Sequence, residues 1–426
     1  MRTQNLINFV QNGGADKKLQ LLYGKDQKLL GEQKKRYLNL LKKHHEQFGN
    51  AEKTIIISAP GRVELLGNHT DHNHGKVMAA SINQDTVAVV TPRGDLQVHL
   101  FSQGYRPIRL DFNNLKPVAK ENGRTAALIR GVAAKMDMLG YHIGGFNATA
   151  ISDVLSGSGM SSSAAFEVLI CAILDKLYNG FIISATQRAQ ISQYAENNYF
   201  MKPSGLMDQL ACSTGGLVAI DFKEKEPVVT PVAFDFEDYG YAMLIVNTFG
   251  SHGGLTDQYA AIPEEMRRVA AHFSQENLRG LTLNRLLENI PALRQKVSDR
   301  AILRAIHFLE ENDRVDDALH AVERKDIEAF FEATRASGQS SISLLQNIYL
   351  PDSCEQPLLL SQVFVDRLLQ GKGASRIHGG GFAGTSLHYV PLEKLESVSQ
   401  QVNAVFGEEA GLHVRVRPVG AAVVAE

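Results

Sequence analysis

The chain has 426 residues, 44% of them hydrophobic and 21% charged, a make-up typical of globular proteins and a length that suits two or three domains of about 150 residues each. Its formal net charge of −2 leaves no basic excess to neutralise a phosphate backbone, so nucleic-acid binding is excluded as the main role. No apolar run approaches the ~20 residues of a membrane span, and Cys171, Cys212 and Cys354 are odd in number and far apart, so a cytoplasmic, reducing setting is expected rather than a membrane or a disulfide scaffold.

Residues 1–50 are charged and helical, with Leu29, Leu30, Tyr37, Leu38, Leu40, Leu41 and Phe48 forming a stripe that Gly49 and Asn50 end. Strands are predicted near residues 54–57, 77–82, 86–91, 96–101 and 108–112, separated by Asp, Gly and Pro. A helix over 124–139 and a strand over 146–152 then lead into the run Gly157-Ser158-Gly159-Met160-Ser161-Ser162-Ser163. An apolar segment, 166–174, follows directly. The Ser184–Gln187 segment has capping-box form and starts a helix that runs towards Phe200 and ends before Pro203. A short helical turn over 205–212 and a strand over 217–221 come next. The charged stretch 222–227 is the candidate domain junction. Beyond it lie a strand (242–247), a long broken helical region (264–338), a helix near 362–370 and two or three closing strands. The mixture predicts an α+β fold of two lobes, divided as an N-terminal extension (1–50), a first domain (51–225) and a second (226–426).

Two constellations carry chemistry. In the 157–163 run, small residues let the backbone approach a ligand, and a helix start just behind them aims free N–H groups and the positive end of the helix dipole outward. That is a phosphate cradle. It is neither a Walker A nor a G-x-G-x-x-G motif, and a flexible linker is the competing reading of Gly157-Ser158-Gly159. The second constellation, Arg62 to Gly75, crowds polar groups between glycines. Asn68, His69 and Asp71 suit the hydroxyls of a sugar, whereas His69, Asp71, His72 and His74 could instead be zinc ligands of a hydrolase, or the loop could simply be solvated.

Pro60-Gly61-Arg62-Val63 with Leu66-Gly67-Asn68-His69-Thr70-Asp71-His72-Asn73 resembles the galactokinase signature. The 157–165 loop is similar to the central motif of the GHMP small-molecule kinases. Gly205-Leu206-Met207-Asp208-Gln209, the glycine run from Gly379 to Gly384 and the segment Arg417 to Ala421 resemble further motifs of that family, in family order. The resemblance implies a two-lobed GHMP kinase fold, with a first lobe like domain 2 of ribosomal protein S5 and a ferredoxin-like second lobe. It implies ATP and Mg²⁺ as cofactors and a sugar phosphorylated at its anomeric hydroxyl. By the same resemblance Asp208 meets the reacting hydroxyl, and Arg62 holds it ionised and stabilises the moving phosphoryl group. Gly157, Ser158, Gly159, Met160, Ser161, Ser162 and Ser163 hold the nucleotide, and Ser163 with Glu196 binds Mg²⁺. Arg62, Asn68, His69, Asp71, Gly205, Asp208 and Tyr259 contact the sugar. A monomer acting on a small molecule is the default expectation.

The chain also departs from this pattern. Asn68 stands where galactokinases typically have Glu, and Glu64 where they have Asn. This puts the choice of sugar in question more than kinase activity. A kinase for arabinose, an N-acetylhexosamine or a uronic acid, or a catalytically silent sugar and ATP sensor, are the alternatives.

Overall fold

The computed structural model describes residues 1–155, 159–250, 255–350 and 353–426. Helices α1 (Thr3–Gln11), α2 (Asp16–Tyr23) and α3 (Gln27–Phe48) precede the hairpin β1 (Ile55–Leu66) and β2 (Lys76–Pro92). Strands β3 (Gln97–Ser102) and β4 (Ile108–Asp111), helix α4 (Thr125–Met138) and strand β5 (Phe146–Ser152) follow. Next come α5 (Ser162–Tyr178), α6 (Ala185–Ala195), a π turn (Glu196–Phe200), α7 (Met207–Thr214), β6 (Leu217–Asp221) and β7 (Val228–Val232). The remainder runs β8 (Tyr241–Asn247), α8 (Thr256–His272), the short α9 (Leu283–Glu288) and α10 (Ile290–Leu293), α11 (Asp299–Glu323), α12 (Ile327–Ser340) and α13 (Pro357–Leu369). It closes with β9 (Ala374–Ile377), β10 (Thr385–Pro391), α14 (Leu395–Phe406), β11 (Gly411–Val414) and β12 (Ala422–Ala425).

The larger sheet has the order β12-β1-β2-β5-β3-β4, and β2 forks, pairing with β5 at one end and with β6 at the other, where β7 extends it. Alternation along the hairpin decides its two faces. Ile56, Val87 and Val89 pack against Leu6, Val10, Leu19, Leu40 and Leu41 of the N-terminal helices. Ile57, Val63, Leu65, Ala88 and Val90 face the other way, into the main core with Val132 of α4 and Ile170 and Ile173 of α5. The apolar stripe expected in residues 1–50 is thus the underside of a three-helix cover. Strands 228–232 and 422–425 belong to this sheet although both lie beyond residue 225 in the chain.

Residues 77–82 and 86–91 form one continuous strand, not the two that Asn83-Gln84-Asp85 suggested. Asp85 does not turn the chain because it is buried and fully engaged. It accepts from Tyr23 Oη at 2.6 Å, Arg36 Nη1 at 2.7 Å and Arg417 Nη1 at 2.9 Å, and also from Ser58. Burial alone would raise its pKa, but Arg36 and Arg417 hold it below the usual carboxylate value.

The second sheet has the order β11-β8-β10-β9, antiparallel throughout. Its strands are joined β8–helices–β9–β10–α14–β11, the ferredoxin-like arrangement expected of the second lobe. Within it, His388 of β10 is fully buried, with Nε2 2.7 Å from Ser386 Oγ and Nδ1 2.8 Å from Ser375 Oγ.

Burial pushes the His388 imidazole down to about 3, against about 6.5 in an unfolded chain. Between those values the unfolded state binds one more proton, so this group lowers stability as the pH falls below about 6.5. We expect His388→Asn to flatten the loss of stability between pH 6 and 4.5 by up to about 1.4 kcal/mol per pH unit. Urea unfolding at several pH values measures the slope, and an unchanged slope would remove His388 from the acid sensitivity.

Candidate active site

β1 is buried along its whole length. Val63 and Leu65 enter the main core, so Arg62 and Glu64 project from the opposite face. Arg62 is met by Asp208, in the first turn of α7, with Nε and Nη2 lying 2.8 Å and 2.7 Å from Asp208 Oδ1. Its Nη1 donates to the Gly159 carbonyl, and Ser161 Oγ donates to Asp208 Oδ2. Burial opposes the Arg62 charge, yet Asp208 and Glu64 raise its pKa. The Arg62 side chain is 5% exposed and that of Asp208 30%, so the carboxylate is the member of the pair that reaches open space.

The described part of the serine run leads into α5 beside the Arg62–Asp208 pair. Gly159 takes φ +78°, a left-handed conformation that glycine adopts without cost, and this turns its carbonyl to Arg62. Met160 is buried, Ser161 is the N-cap residue of α5, and Ser162 and Ser163 open that helix. Gly157 and Ser158 lie outside the described residues. Where α5 crosses the core it is apolar on all sides, and its residues from Val168 to Leu174 are all buried.

Glu196 opens the π turn after α6 and is 2% exposed. Ser163 Oγ donates to its Oε1 at 2.9 Å, as does Lys202 Nζ at 2.8 Å. Ser204 Oγ (2.7 Å) and Gln209 Nε2 (2.9 Å) hold its Oε2. Burial would raise the Glu196 pKa, but Lys202 and the hydroxyls keep it low. An ionised carboxylate beside a hydroxyl, already balanced by an ammonium, is a fitting donor set for a hard divalent cation that keeps waters and shares phosphate oxygens. Neighbouring Glu167 behaves oppositely: burial and the Glu196 charge push it well above the carboxylate range. Gln209 spans both acids, lying 3.1 Å from Glu167 Oε2.

The polar segment after β1 divides its tasks. Asp71 lies against Gly205 so closely that a Cβ there would sit 1.8 Å from Asp71 Oδ2. Only glycine allows that approach, which joins two of the expected sugar contacts. Burial would raise the Asp71 pKa, but hydrogen bonds from His72 lower it. His69 lies 2.8 Å from the Gly380 carbonyl through Nε2 and stacks on Tyr259, with ring centroids 6.4 Å apart. Burial and His72 bring its imidazole down to about 3, so it is neutral and donates. Tyr259 Oη donates to the Gly381 carbonyl at 2.8 Å, and burial moves its phenol up to about 12.

Asn68, expected to grip the sugar, is fully buried and engaged at both ends of its amide. Its Nδ2 donates to Glu64 Oε1 (2.9 Å) and to the Gly379 carbonyl (2.6 Å), while its Oδ1 accepts from Asn347 Nδ2 (2.6 Å). Glu64 in turn pairs with buried Arg376 of the second lobe at 3.1 Å. His69, Asp71, His72 and His74 do not converge as zinc ligands. Among the described residues no group of three or more His, Cys, Asp or Glu could hold a metal ion, and His74 Nδ1 instead lies 3.3 Å from the Phe222 carbonyl. Also among the described residues, no helix is long and apolar enough to cross a membrane. Sequence reasoning missed Lys202, Arg376 and Asn347, and it named Glu64 as a departure from the family pattern without its partner Arg376. Gln209 stood in a quoted motif without a role.

Two family models match the chain: the galactokinase galactose-binding signature over residues 42–92 and the GHMP kinases N-terminal domain over 127–216. Among solved structures, Lactococcus lactis galactokinase complexed with galactose superposes with a TM-score of 0.77 at 23% identity, covering 89% of this chain and 98% of that one. Methanococcus jannaschii mevalonate kinase gives a TM-score of 0.60 at 16% identity, covering 86% and 99%. A D-glycero-D-manno-heptose 1-phosphate kinase from Bacteroides thetaiotaomicron gives 0.58 at 14%, covering 87% and 98%. The chain has the α+β, two-lobed GHMP kinase fold.

The Glu64–Arg376 pair yields a stability test. Arg376→Met leaves a buried carboxylate without its partner and should cost about 3–5 kcal/mol in denaturant unfolding. Adding Glu64→Gln should recover most of that loss. A double variant no more stable than Arg376→Met would mean that the two side chains are not coupled.

Proposed function

We propose that this chain, which carries the galactokinase galactose-binding signature and the GHMP kinase N-terminal domain, is a sugar kinase. It transfers the terminal phosphoryl group of ATP to the anomeric hydroxyl of a monosaccharide, with galactose the foremost candidate. The observation that carries this reading is the Arg62–Asp208 pair, tied through Ser161 and Gly159 to the serine loop.

Asp208 orients the acceptor hydroxyl and takes its proton as the sugar oxygen bonds to the γ-phosphorus. The bond from that phosphorus to the β–γ bridging oxygen breaks, and ADP leaves. Because phosphoryl transfer is loose, with little for a base to do early on, positioning carries much of the catalysis. Arg62, fixed on a buried strand, supplies charge to the equatorial oxygens without having to reorganise. The backbone N–H groups at the start of α5 and the hydroxyls of Ser161, Ser162 and Ser163 hold the phosphates. Ser163 and Glu196 would hold Mg²⁺, which when bound neutralises the charge of the phosphates. His69, Asp71, Gly205 and Tyr259 form the sugar wall, with Asp71 offering its charged oxygens and His69 held neutral.

Which sugar fits depends on residues 64 and 68. The carboxylate that the signature usually carries at 68 stands here at 64, committed to Arg376, while Asn68 is committed to Glu64, Gly379 and Asn347. A related sugar such as arabinose, an N-acetylhexosamine or a uronic acid is therefore the second reading. A silent sensor is disfavoured by the retained Arg62, Asp208, Ser163 and Glu196.

ADP release in the presence of ATP, Mg²⁺ and a panel of free sugars tests the reading. If ATP and a sugar bind but nothing is phosphorylated, the sensor wins. Asp208→Ala should lower turnover by at least about 10²-fold and leave nucleotide affinity within a few-fold, and an active variant would sink the mechanism. Asn68→Glu brings a second carboxylate up to Glu64 and should lower stability, whereas Glu64→Asn with Asn68→Glu restores the charge count and should shift the sugar preference. A preference identical to that of the parent across the panel would exclude these positions as specificity determinants.

A further inference from the structure

Lys202 stands out because no sequence motif contains it, yet its ammonium lies on the oxygen that a divalent ion would use. The four donors to Glu196 divide unequally. Ser204 and Gln209, both neutral, fix Oε2 from within the protein. Oε1 is left to Ser163, at the start of α5, and to Lys202. Hence the side of Glu196 that faces the serine loop is closed by a cation that the chain itself supplies.

The two halves of this ion pair differ in freedom. The Glu196 side chain is 2% exposed and that of Lys202 56%. The carboxylate is fixed, whereas the ammonium sits at the end of a flexible stem that solvent reaches. The backbone beneath the stem is anchored. Met201 takes the left-handed conformation at φ +66°, ending the π turn, and Lys202 N–H donates to the Glu196 carbonyl at 3.1 Å. The stem therefore swings from a fixed root beside Glu196. An ordinary surface ion pair contributes little, but this one balances a carboxylate that would otherwise be buried unpaired.

We propose that Lys202 is a mobile place-holder for the divalent cation: it neutralises Glu196 while no ion is bound, and turns its ammonium to the terminal phosphates of the nucleotide when the ion takes Glu196. This rests on the kinase reading above. It adds a phosphate-binding residue that shares Glu196 Oε1 with Ser163 of the serine loop, and it makes metal entry and phosphate capture one exchange. In the free protein the exchange costs metal affinity, because the ion must displace an ammonium. In the nucleotide complex that cost disappears, because the ammonium has a new anionic partner. Metal and nucleotide should accordingly bind with positive coupling.

Mn²⁺ binding followed by electron paramagnetic resonance, with and without ADP, tests this on the full chain. Lys202→Met should bind Mn²⁺ roughly tenfold more tightly than the parent when ADP is absent, since a like charge a few ångströms away is removed. The gain in Mn²⁺ affinity on adding ADP should shrink in the variant, and kcat for sugar phosphorylation should fall, with Lys202→Arg retaining more of both properties than Lys202→Met. Mn²⁺ affinity in Lys202→Met equal to or weaker than that of the parent overturns the proposal, because an ammonium that only steadied Glu196 would not compete with the ion. Failure of the parent to bind Mn²⁺ even with ADP would overturn the kinase reading along with it. Normal parental binding with no change in the variant overturns the Lys202 proposal alone.

Discussion

A guanidinium buried on an interior strand has to find its counter-charge, and Arg62 finds it in Asp208, 146 residues further along the chain. Much of the site follows from that requirement. The pair fixes the start of α7 against β1 and turns the Gly159 carbonyl inward, and the same carboxylate takes up Ser161. Two residues along the same strand face, Glu64 needs a cation and takes Arg376 from the second lobe. One strand thus holds the cleft from both sides, with an arginine facing its own lobe and a glutamate facing the other.

The site repeats this logic at smaller scale. In the clearest case one opposite charge is joined by several neutral donors. Glu196 has Lys202, with Ser163, Ser204 and Gln209. Glu167 has no ion pair of its own among the described residues, and burial and the Glu196 charge instead drive it towards the neutral acid. A fixed set of charges around an opening is what a reaction with a large change in charge distribution requires, since dipoles already aligned need not reorganise.

The contiguous parts of this arrangement were legible in the sequence. The serine run before an apolar helix, the Arg62 to Asp71 segment and Asp208 on its short helix each carry local chemistry that spacing reveals. The stripe in residues 1–50 marked the helices that cover the sheet. What escaped were partnerships between distant residues. Asn68 looked like a sugar ligand because nothing near it in the chain shows that Asn347 and Gly379 close around it. The break expected at Asn83-Gln84-Asp85 failed for the same reason, since the polarity there is answered by Tyr23, Arg36 and Arg417. Lys202 has no periodic or motif signal and acquires meaning only once the π turn sets it beside Glu196.

Asp85 also bears on how the molecule is made. Its partner Arg417 lies 332 residues later, and β12, which follows Arg417, covers the free edge of β1. Without residues 417–425 the first lobe would therefore have its long hairpin but an open strand edge and a buried acid short of one of its two arginines. Such an edge invites pairing with other chains. The N-terminal helices bring Tyr23 and Arg36 to the same acid. One buried acid shared between the first helices and the segment before β12 thus joins residues 23, 36, 85 and 417 in a single lobe.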